Sequence, residues 1–355
     1  MTEVHVVVPE SIDDPARPSG GNVYDRRVCR GLAALGCAVH EHAVPGDWPR
    51  PGTAGHAALS RAVRRIPDGA VVLLDGLIAS AAPEALVPQA SRLRQVVLVH
   101  MPLGHRPPDD EAGALRARER EVLAAAAAVV TTSAWTRRRL GELYALPADR
   151  VHVAEPGVDA ACLAPGTAAG DGLLCVAALT PDKGHDVLLD GLAMATDLSW
   201  RCACVGSLVR DPAFADGVRR RARTSGLGDR VRFPGPRTGP ELDRAYAAAD
   251  LLVLASQAET YGMVVTEALA RGLPVLAAEI GGVTEALGRG EDGARPGLLV
   301  PPGDAAALGA ALRTWLGDAD LRRRLRGAAR ERRASLCRWP DTTSVLAGVL
   351  AGAAR

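Results

Sequence analysis

The stretch Glu259-Thr-Tyr-Gly-Met-Val-Val-Thr-Glu267 joins a predicted strand to a predicted helix, and it decides the fold. Before it, the apolar run 251–254 has the continuous hydrophobicity of a strand that is buried on both faces of a parallel sheet. Gly262 begins the helix, which Gly272 and Pro274 end. Backbone N–H groups at such a helix start, beyond the carboxyl edge of a parallel sheet, bind anions. The stretch therefore predicts a doubly wound α/β domain with an anion site.

The same alternation of strand and helix runs along nearly the whole chain. Two successive series predict two doubly wound Rossmann-like α/β domains that face each other across a cleft. We place the first domain at 1–165, the second at 166–338, and a C-terminal helix at 339–355 that packs back on the first domain. The predicted strands are 4–8, 38–42, 71–74, 96–100, 128–131, 173–178, 201–206, 231–233, 251–254, 275–278 and 298–300.

Length and composition agree with two domains that carry no nucleic acid. The chain has 355 residues, which at about 150 residues per domain gives two. Aromatic residues make up only 3%, too few for a surface that stacks bases. The net charge of +1 removes the electrostatic case for a nucleic-acid partner.

The cysteines and the N-terminus predict a soluble protein of the reducing cytoplasm. The seven cysteines form no CxxC pair and no zinc-ligand spacing. The N-terminus has no basic segment followed by a long apolar stretch, and the apolar run 70–78 contains Asp75 and is too short to span a bilayer. The arginine triplets at 137–139 and 322–324 are interpreted as solvated helix faces rather than membrane contacts.

Two motifs match known sites by their letters but not by their context. Gly288-Arg-Gly-Glu-Asp-Gly293 fits GxGxxG, yet it follows a helix and precedes a strand, so we interpret it as a polar loop. Asp318-Ala-Asp320 fits the metal-binding DxD, yet it precedes an arginine-rich helix, where an Asp is expected as the N-cap. No metal site is predicted.

The only lysine of the chain lies where an anion site is expected. Of the 42 basic residues one, Lys183, is a lysine. It follows the predicted strand 173–178 in Pro181-Asp-Lys-Gly184, which opens a helix. A flexible cation at a helix start beyond a strand end favours a phosphate ligand. The carboxylates of Glu259 and Glu267 would accept hydrogen bonds from sugar or ribose hydroxyls on either side of the bound phosphate.

These motifs together resemble the retaining GT-B glycosyltransferases of family 4, whose E-x7-E motif has the spacing of Glu259 and Glu267. The resemblance covers essentially the whole chain. Its other motifs, in chain order, are Ser19-Gly-Gly-Asn22, His100, Ser133-Ala-Trp135, Pro156-Gly-Val-Asp159, Pro181-Asp-Lys-Gly184 and Tyr246-Ala-Ala-Ala-Asp250.

The resemblance implies a retaining, metal-independent transfer of a hexose-type sugar from a nucleoside diphosphate sugar to a hydroxyl acceptor, with no cofactor. It implies catalytic roles for Lys183 on the donor phosphate, Glu259 on the sugar hydroxyls and His100 near the sugar. The implied donor-binding residues are Gly20 and Gly21 in a loop that closes over the substrates, Glu267 on the ribose, and Thr260, Tyr261, Gly262, Met263, Val264, Gly206 and Phe233.

Two departures from the family pattern leave alternatives open. The family has Gly-Arg-Leu before the lysine, but this chain has Ala177-Ala178-Leu179, so another Arg reaches the diphosphate, Lys183 acts alone, or donor binding is weaker. Met101-Pro102 follows His100 where a polar residue is common, which makes an unusual acceptor pocket an option. His100 itself has the alternative of a buried structural histidine. Asp75 and His105 are further candidates after strands.

Two other functions fit the same sequence. One is a different reaction at the same donor site, such as sugar-nucleotide epimerisation or a sucrose-synthase-like reversal. The other is a catalytically silent nucleotide-sugar-binding protein, which the missing Arg suggests. The donor base, the sugar, the acceptor and the oligomeric state are not predicted.

Overall fold

A computed structural model describes residues 3–105 and 110–354 of the chain. The chain divides into two compact units, each with its own sheet. The first unit comprises Met1–Asp13, Ser19–Gly157 and Cys337–Arg355, and the second comprises Asp14–Pro18 and Val158–Leu336. Within the described residues, no helix is long and apolar enough to cross a membrane.

The first unit contains a parallel sheet whose described strands follow the order β2-β1-β3-β4-β5-β6. The chain passes from β1 to β2 on one side and then returns to place β3 on the other side of β1, so the topological switch point lies between β1 and β3. The strands are β1 (Glu3–Pro9), β2 (Ala38–Val44), β3 (Val71–Asp75), β4 (Arg94–Val99), β5 (Ala128–Thr131) and β6 (Val151–Val153).

Helices cover this sheet because β3, β4 and β5 are apolar on both faces and nearly all their residues are buried. The C-terminal helix packs in this unit: a Cβ on Gly31 would lie 2.3 Å from Thr343 Oγ1. The helices of the unit are α1 (Gly20–Ala34), α2 (Gly52–Arg64), α3 (Gly76–Ala79), α4 (Pro83–Leu86), α5 (Asp110–Ala125) and α6 (Ala134–Tyr144), together with the C-terminal helix (Trp339–Ala353), which is α14.

The second unit repeats the design with the strand order β12-β11-β10-β7-β8-β9, all parallel. Its switch point lies between β7 and β10. The strands are β7 (Gly172–Val176), β8 (Arg201–Val205), β9 (Val231–Gly235), β10 (Leu251–Leu254), β11 (Val275–Ala278) and β12 (Gly297–Val300). The helices are α7 (His185–Ala193), α8 (Pro212–Thr224), α9 (Gly239–Ala247), α10 (Met263–Ala270), α11 (Val283–Leu287), α12 (Ala305–Gly317) and α13 (Ala319–Arg332).

The predicted pair of doubly wound parallel sheets is confirmed, and each predicted strand overlaps an observed one. One local expectation is wrong. α1 begins at Gly20 because Ser19 Oγ accepts a hydrogen bond from the Asn22 amide, so Gly20 and Gly21 form the first helical turn and not a loop. Lys183 lies in the 3₁₀ turn Pro181–Lys183, and Gly184, whose φ is +63°, joins this turn to the start of α7 at His185, so this segment opens a helix as expected.

Candidate functional site

The second unit brings Lys183 and Glu259 together at its switch point. Lys183 follows β7 and Glu259 follows β10, and these two strands are neighbours in the sheet. Lys183 Nζ donates a hydrogen bond to Glu259 Oε1 at 2.7 Å, and Ser256 Oγ donates to the same oxygen at 3.0 Å. The carboxyl ends of these neighbouring strands thus place a cation and a carboxylate where doubly wound folds bind ligands.

Backbone contacts force the two loops to meet. A Cβ on Gly184 would lie 2.1 Å from Ala255 O, so only glycine lets the turn that follows Lys183 approach the end of β10 so closely. The Gln257 amide also donates to Asp182 O at 2.8 Å. The Lys183–Glu259 pair is therefore held by main chain on both sides.

The charge of Lys183 is strongly stabilised. Its side chain is only 21% exposed and that of Glu259 is 13% exposed. Burial disfavours the ammonium, but the charge and hydrogen bond of Glu259, and then those of Asp182, outweigh it and raise the pKa of Lys183 above its ordinary value. The lysine is a permanent cation beside the strand ends.

The start of α10 is adjacent to this pair and carries no side-chain cap. Gly262 is its N-cap with φ +91°, and as a glycine it offers no side-chain oxygen to the first amides of the helix. The loop that precedes it is packed tightly, because a Cβ on Gly281 would lie 1.5 Å from Glu259 O and one on Gly282 would lie 2.1 Å from Thr260 O. The uncapped amides can accept an anion.

Glu267 lies one and a half turns inside α10 and is held by a tyrosine of α9. Tyr246 OH donates to Glu267 Oε2 at 2.7 Å. Burial raises the pKa of Glu267, and the Tyr246 hydrogen bond and the charge of Arg271 only partly oppose this. Arg271 also stacks on the Tyr246 ring, with its guanidinium carbon 4.5 Å from the ring centre.

The other predicted donor-binding residues differ in whether their side chains or only their backbone atoms are accessible to a ligand. The Tyr261 side chain is buried in the core with only 3% of its surface exposed, so only its backbone remains for a ligand. Thr260, Met263 and Val264 are half-buried around the start of α10. Gly206 directly follows β8, where a Cβ would lie 1.8 Å from Ala177 O, and Phe233 in β9 is half-buried against the core.

No arginine takes the family position at Ala178, which lies beyond the end of β7. The arginine closest in sequence to Glu267 is occupied elsewhere: Arg271 pairs with Asp243 and donates to Glu267 O. In the family motif Tyr246 to Asp250, only the tyrosine reaches this site. Asp250, fully buried, instead pairs with Arg326 and accepts from the Gly172 amide at 2.9 Å.

In the first unit, His100 follows β4 and contacts α1. His100 Nε2 lies 2.8 Å from Asp25 Oδ1, and the Tyr24 ring meets the imidazole edge-on at 5.2 Å. A Cβ on Gly21 would lie 3.2 Å from His100 Cδ2, which explains a glycine in this helical turn. Gly20 is exposed. The imidazole packs against the first two turns of α1.

Asp75 completes a buried cluster with Asp25 and His100. One polar atom from each of the three side chains lies within 4.8 Å of the others. Asp75 Oδ1 also accepts the Leu77 amide at 2.6 Å. Burial and then the charge of Asp25 raise the pKa of Asp75 to about 7. Burial disfavours the His100 cation, but Asp25 and then Asp75 raise its pKa overall. The backbone of His105 is described, but its side chain lies outside the described part.

The sequence prediction missed Asp25, although a signal was present. Asp25 lies on the helix face that also carries Val28, Cys29 and Leu32, all buried. A carboxylate at a core position of an amphipathic helix requires a polar partner. That partner, His100, is 75 positions away and was not inferred.

The GxGxxG-like segment and the DxD-like segment both have structural roles. Asp318 Oδ1 caps α13 by accepting the Asp320 and Leu321 amides, both at 2.9 Å, which confirms the N-cap interpretation. The segment 288–293 is a loop between α11 and β12, as predicted.

Two family models match the two halves of the chain. The model described as Glycosyltransferase Family 4 matches residues 3–161, and that described as Glycosyl transferases group 1 matches residues 171–332. The chain is 33% identical over 230 residues to a D-inositol 3-phosphate glycosyltransferase of Jonesia denitrificans, covering 59% of this chain and 53% of that protein. It spans 53% to 59% of the length of the first such relatives.

Solved structures resemble the chain along its whole length. Sucrose-phosphate synthase from Thermosynechococcus elongatus has a TM-score of 0.81 at 21% identity, with 99% of each chain covered. Anabaena HepE in complex with UDP-glucose has a TM-score of 0.77 at 18% identity, covering 99% of this chain and all (100%) of that one. At these identities the likeness concerns the fold.

Proposed function

Because the chain belongs to glycosyltransferase family 4 and has the GT-B fold, we propose that it is a retaining, metal-independent hexosyltransferase. It would move a sugar from a nucleoside diphosphate sugar to a hydroxyl of a small molecule, a glycan or a natural product. The observation that carries the proposal is the buried Lys183–Glu259 pair beside the uncapped start of α10.

The diphosphate would bind between Lys183 and α10. The ammonium supplies a full positive charge, and the amides at Gly262 and Met263 supply aligned donors. As the bond between the anomeric carbon and the diphosphate oxygen breaks, negative charge grows on the diphosphate. Donors that are already in place stabilise this charge without reorganisation, which lowers the barrier. No metal ion is needed for that role.

The sugar and ribose contacts would come from the two glutamates. Glu259 pairs with Lys183 through Oε1, so a bound sugar hydroxyl would add to an existing ion pair. Glu267, which Tyr246 holds in place, would accept from the ribose. The half-buried Thr260, Met263 and Val264 and the backbone of Gly206 and Tyr261 would line the donor.

In a single displacement, retention requires the acceptor to attack on the face from which the diphosphate departs. The acceptor oxygen forms the new bond to the anomeric carbon, and its proton passes to the departing diphosphate oxygen. In this proposal His100 contacts the sugar. Lys183 acts on the diphosphate without the family arginine, since Ala178 offers no charge.

Two successive measurements distinguish the proposed transfer from the alternative functions, and the first identifies the donor. A thermal-shift screen of UDP, GDP, ADP and TDP sugars identifies the donor, because a ligand raises the melting temperature as its concentration exceeds its Kd. UDP-glucose is the first donor to test and inositol phosphates are the first acceptors, since the similar proteins above are associated with them by name.

The identified donor is then incubated with acceptors in excess chelator, and the anomeric configuration of the product is read by NMR. A product with the donor's configuration supports the proposal. Epimerised donor, or a binding protein that forms no product with any acceptor, contradicts it. Loss of activity on chelation, with recovery on adding a divalent metal, contradicts metal independence.

A further inference from the structure

The switch point of the first unit carries a second buried charge cluster, made of Asp25, Asp75 and His100. Asp25 projects from α1, Asp75 ends β3 and His100 follows β4. The Asp25 side chain is 4% exposed and Asp75 is likewise 4% exposed. Two carboxyl groups this deeply buried need hydrogen bonds or a proton.

The hydrogen bonds leave one oxygen without a donor. Asp25 Oδ1 is bonded to His100 Nε2, and Asp75 Oδ1 accepts the Leu77 amide. Asp25 Oδ2 is buried and has no hydrogen-bond partner among the described N–H and O–H groups. The Asp75 carboxyl group lies close to Asp25, with a carboxylate oxygen of Asp75 within 4.8 Å of one of Asp25. A proton on Asp75 supplies the missing donor.

The surroundings favour a neutral Asp75. The two aspartates line a cavity of about 10 Å³ whose other walls are apolar: Val6, Val8, Leu73 and Leu98. A space of this size holds roughly one water molecule, too few to solvate a second carboxylate. Two negative charges side by side in such a site are strongly disfavoured. One proton shared by Asp25 and Asp75 would remove the repulsion between them and would give the unpartnered Asp25 Oδ2 a donor.

The imidazole is thereby fixed by one nitrogen and free at the other. With Nε2 held by Asp25, His100 Nδ1 makes no hydrogen bond to the described residues, and the side chain is 15% exposed. Tyr24 and Gly21 pack against the ring and prevent it from turning. Tyr24 is also the one further titratable group that the described contacts place against the ring.

We propose that Asp25 is a positioning residue, which holds His100 by Nε2 so that Nδ1 stays available to a ligand, and that a neutral Asp75 relieves the repulsion between the two carboxyl groups. The catalytic consequence rests on the proposed function. In the neutral ring, Nδ1 is then an acceptor for a sugar hydroxyl. The orientation itself does not depend on the reaction.

NMR of protein labelled with ¹⁵N-histidine tests the orientation without any activity. The His100 signals are assigned by their loss in His100→Gln. In the wild type we expect the Nε2–H tautomer, and a pKa above that of a free histidine. In Asp25→Asn this pKa should fall by about one unit or more, because the carboxylate charge is gone. In Asp75→Asn, whose amide mimics the protonated acid, the tautomer should persist and the pKa should fall by less than in Asp25→Asn.

Several results would overturn the proposal. An Nδ1–H tautomer in the wild type needs no variant and would do so even if Asp25→Asn failed to fold. An unchanged His100 in Asp25→Asn, or a His100 altered as much in Asp75→Asn, would also contradict it. A divalent metal bound at one ion per protein, whose removal shifts the His100 signals, would show that a metal ion rather than a shared proton occupies the cluster.

Activity gives an independent reading once a donor is known. The acidic limb of the kcat profile should move to lower pH in Asp25→Asn, because His100 then loses its proton at lower pH, and should move less in Asp75→Asn. An acidic limb that does not move in Asp25→Asn would contradict the catalytic part. If no transfer is found but the NMR results hold, the proposed function fails and the orientation of His100 stands.

Discussion

Lys183 Nζ and Glu259 Oε1 lie 2.7 Å apart although 76 positions separate them in the chain. The ion pair thus joins the residue expected to bind phosphate, Lys183, to the residue expected to bind the sugar, Glu259. A diphosphate that enters must share the lysine with Glu259. The two residues should therefore be coupled in binding, and their substitutions should have different signatures.

Lys183→Ala should abolish measurable transfer, with a loss of about 10²–10³ in kcat/KM or more, because a preorganised charge on the leaving group is removed. Lys183→Arg should recover only part of it, since the rigid guanidinium cannot reproduce the geometry of the ammonium. Steady-state kinetics measures both. Arg221→Ala, which breaks an exposed ion pair with Asp190 in the same unit, is the control and should leave kcat/KM unchanged.

Glu259→Gln should lower transfer while leaving the affinity for the bare nucleoside diphosphate unchanged or higher. In the wild type the Glu259 carboxylate pairs with Lys183, so removing its charge frees the lysine for phosphate. Calorimetric titration of the nucleoside diphosphate beside kinetics of the sugar donor separates the two effects. An equal loss in both would show that Glu259 supports the phosphate site and not the sugar.

Gly281→Ala should unfold or displace the Glu259 loop. The added methyl would lie 1.5 Å from Glu259 O, at a residue with φ +58°. Gly293→Ala is a matched control, because Gly293 also has a positive φ of +81° but nothing lies within 4 Å of its Cβ position. We expect the control to cost about 1 kcal/mol and Gly281→Ala to cost clearly more, about 2–4 kcal/mol, with loss of transfer. Urea denaturation measures both, and equal costs would refute the packing argument.

Asp75→Asn should stabilise the protein at neutral pH. Burial and the Asp25 charge raise the pKa of Asp75 to about 7, above the value for an unfolded chain. A raised acid pKa contributes stability below the unfolded value, near pH 4, and loses it as pH rises to about 7. The variant has no such loss, so its advantage should grow from pH 4 to 7 and then level off at about 1–4 kcal/mol. An advantage that is constant with pH would contradict a protonated Asp75.

The sequence was sufficient to predict the architecture. Fully buried parallel strands need unbroken apolar runs, and 251–254 and 275–278 were predicted with the bounds they have in the structure. Helix starts were predicted less well. α1 gains a turn at Gly20 from the Ser19 cap, because this start depends on a local hydrogen bond rather than on hydrophobic period.

The candidate site was predicted as a set of residues but not as a set of contacts. Lys183, Glu259 and Glu267 could be picked by type and place, since the first two follow strand ends and Glu267 lies one and a half turns inside the helix that follows Glu259. Their partners could not: Glu259 pairs with Lys183, and Tyr246 holds Glu267 from α9. The Tyr261 side chain is buried because it packs in the core below α10, which spacing does not reveal.

The contact between the chain's only lysine, Lys183, and the donor diphosphate is central to the proposed reaction. Calorimetric titration of the preferred nucleoside and its diphosphate into the wild type and Lys183→Ala tests this contact. The difference in affinity between the two ligands isolates the phosphate contribution. We predict that the preference for the diphosphate falls by about tenfold or more in the variant, while the affinity for the nucleoside stays the same. An unchanged preference would contradict the account.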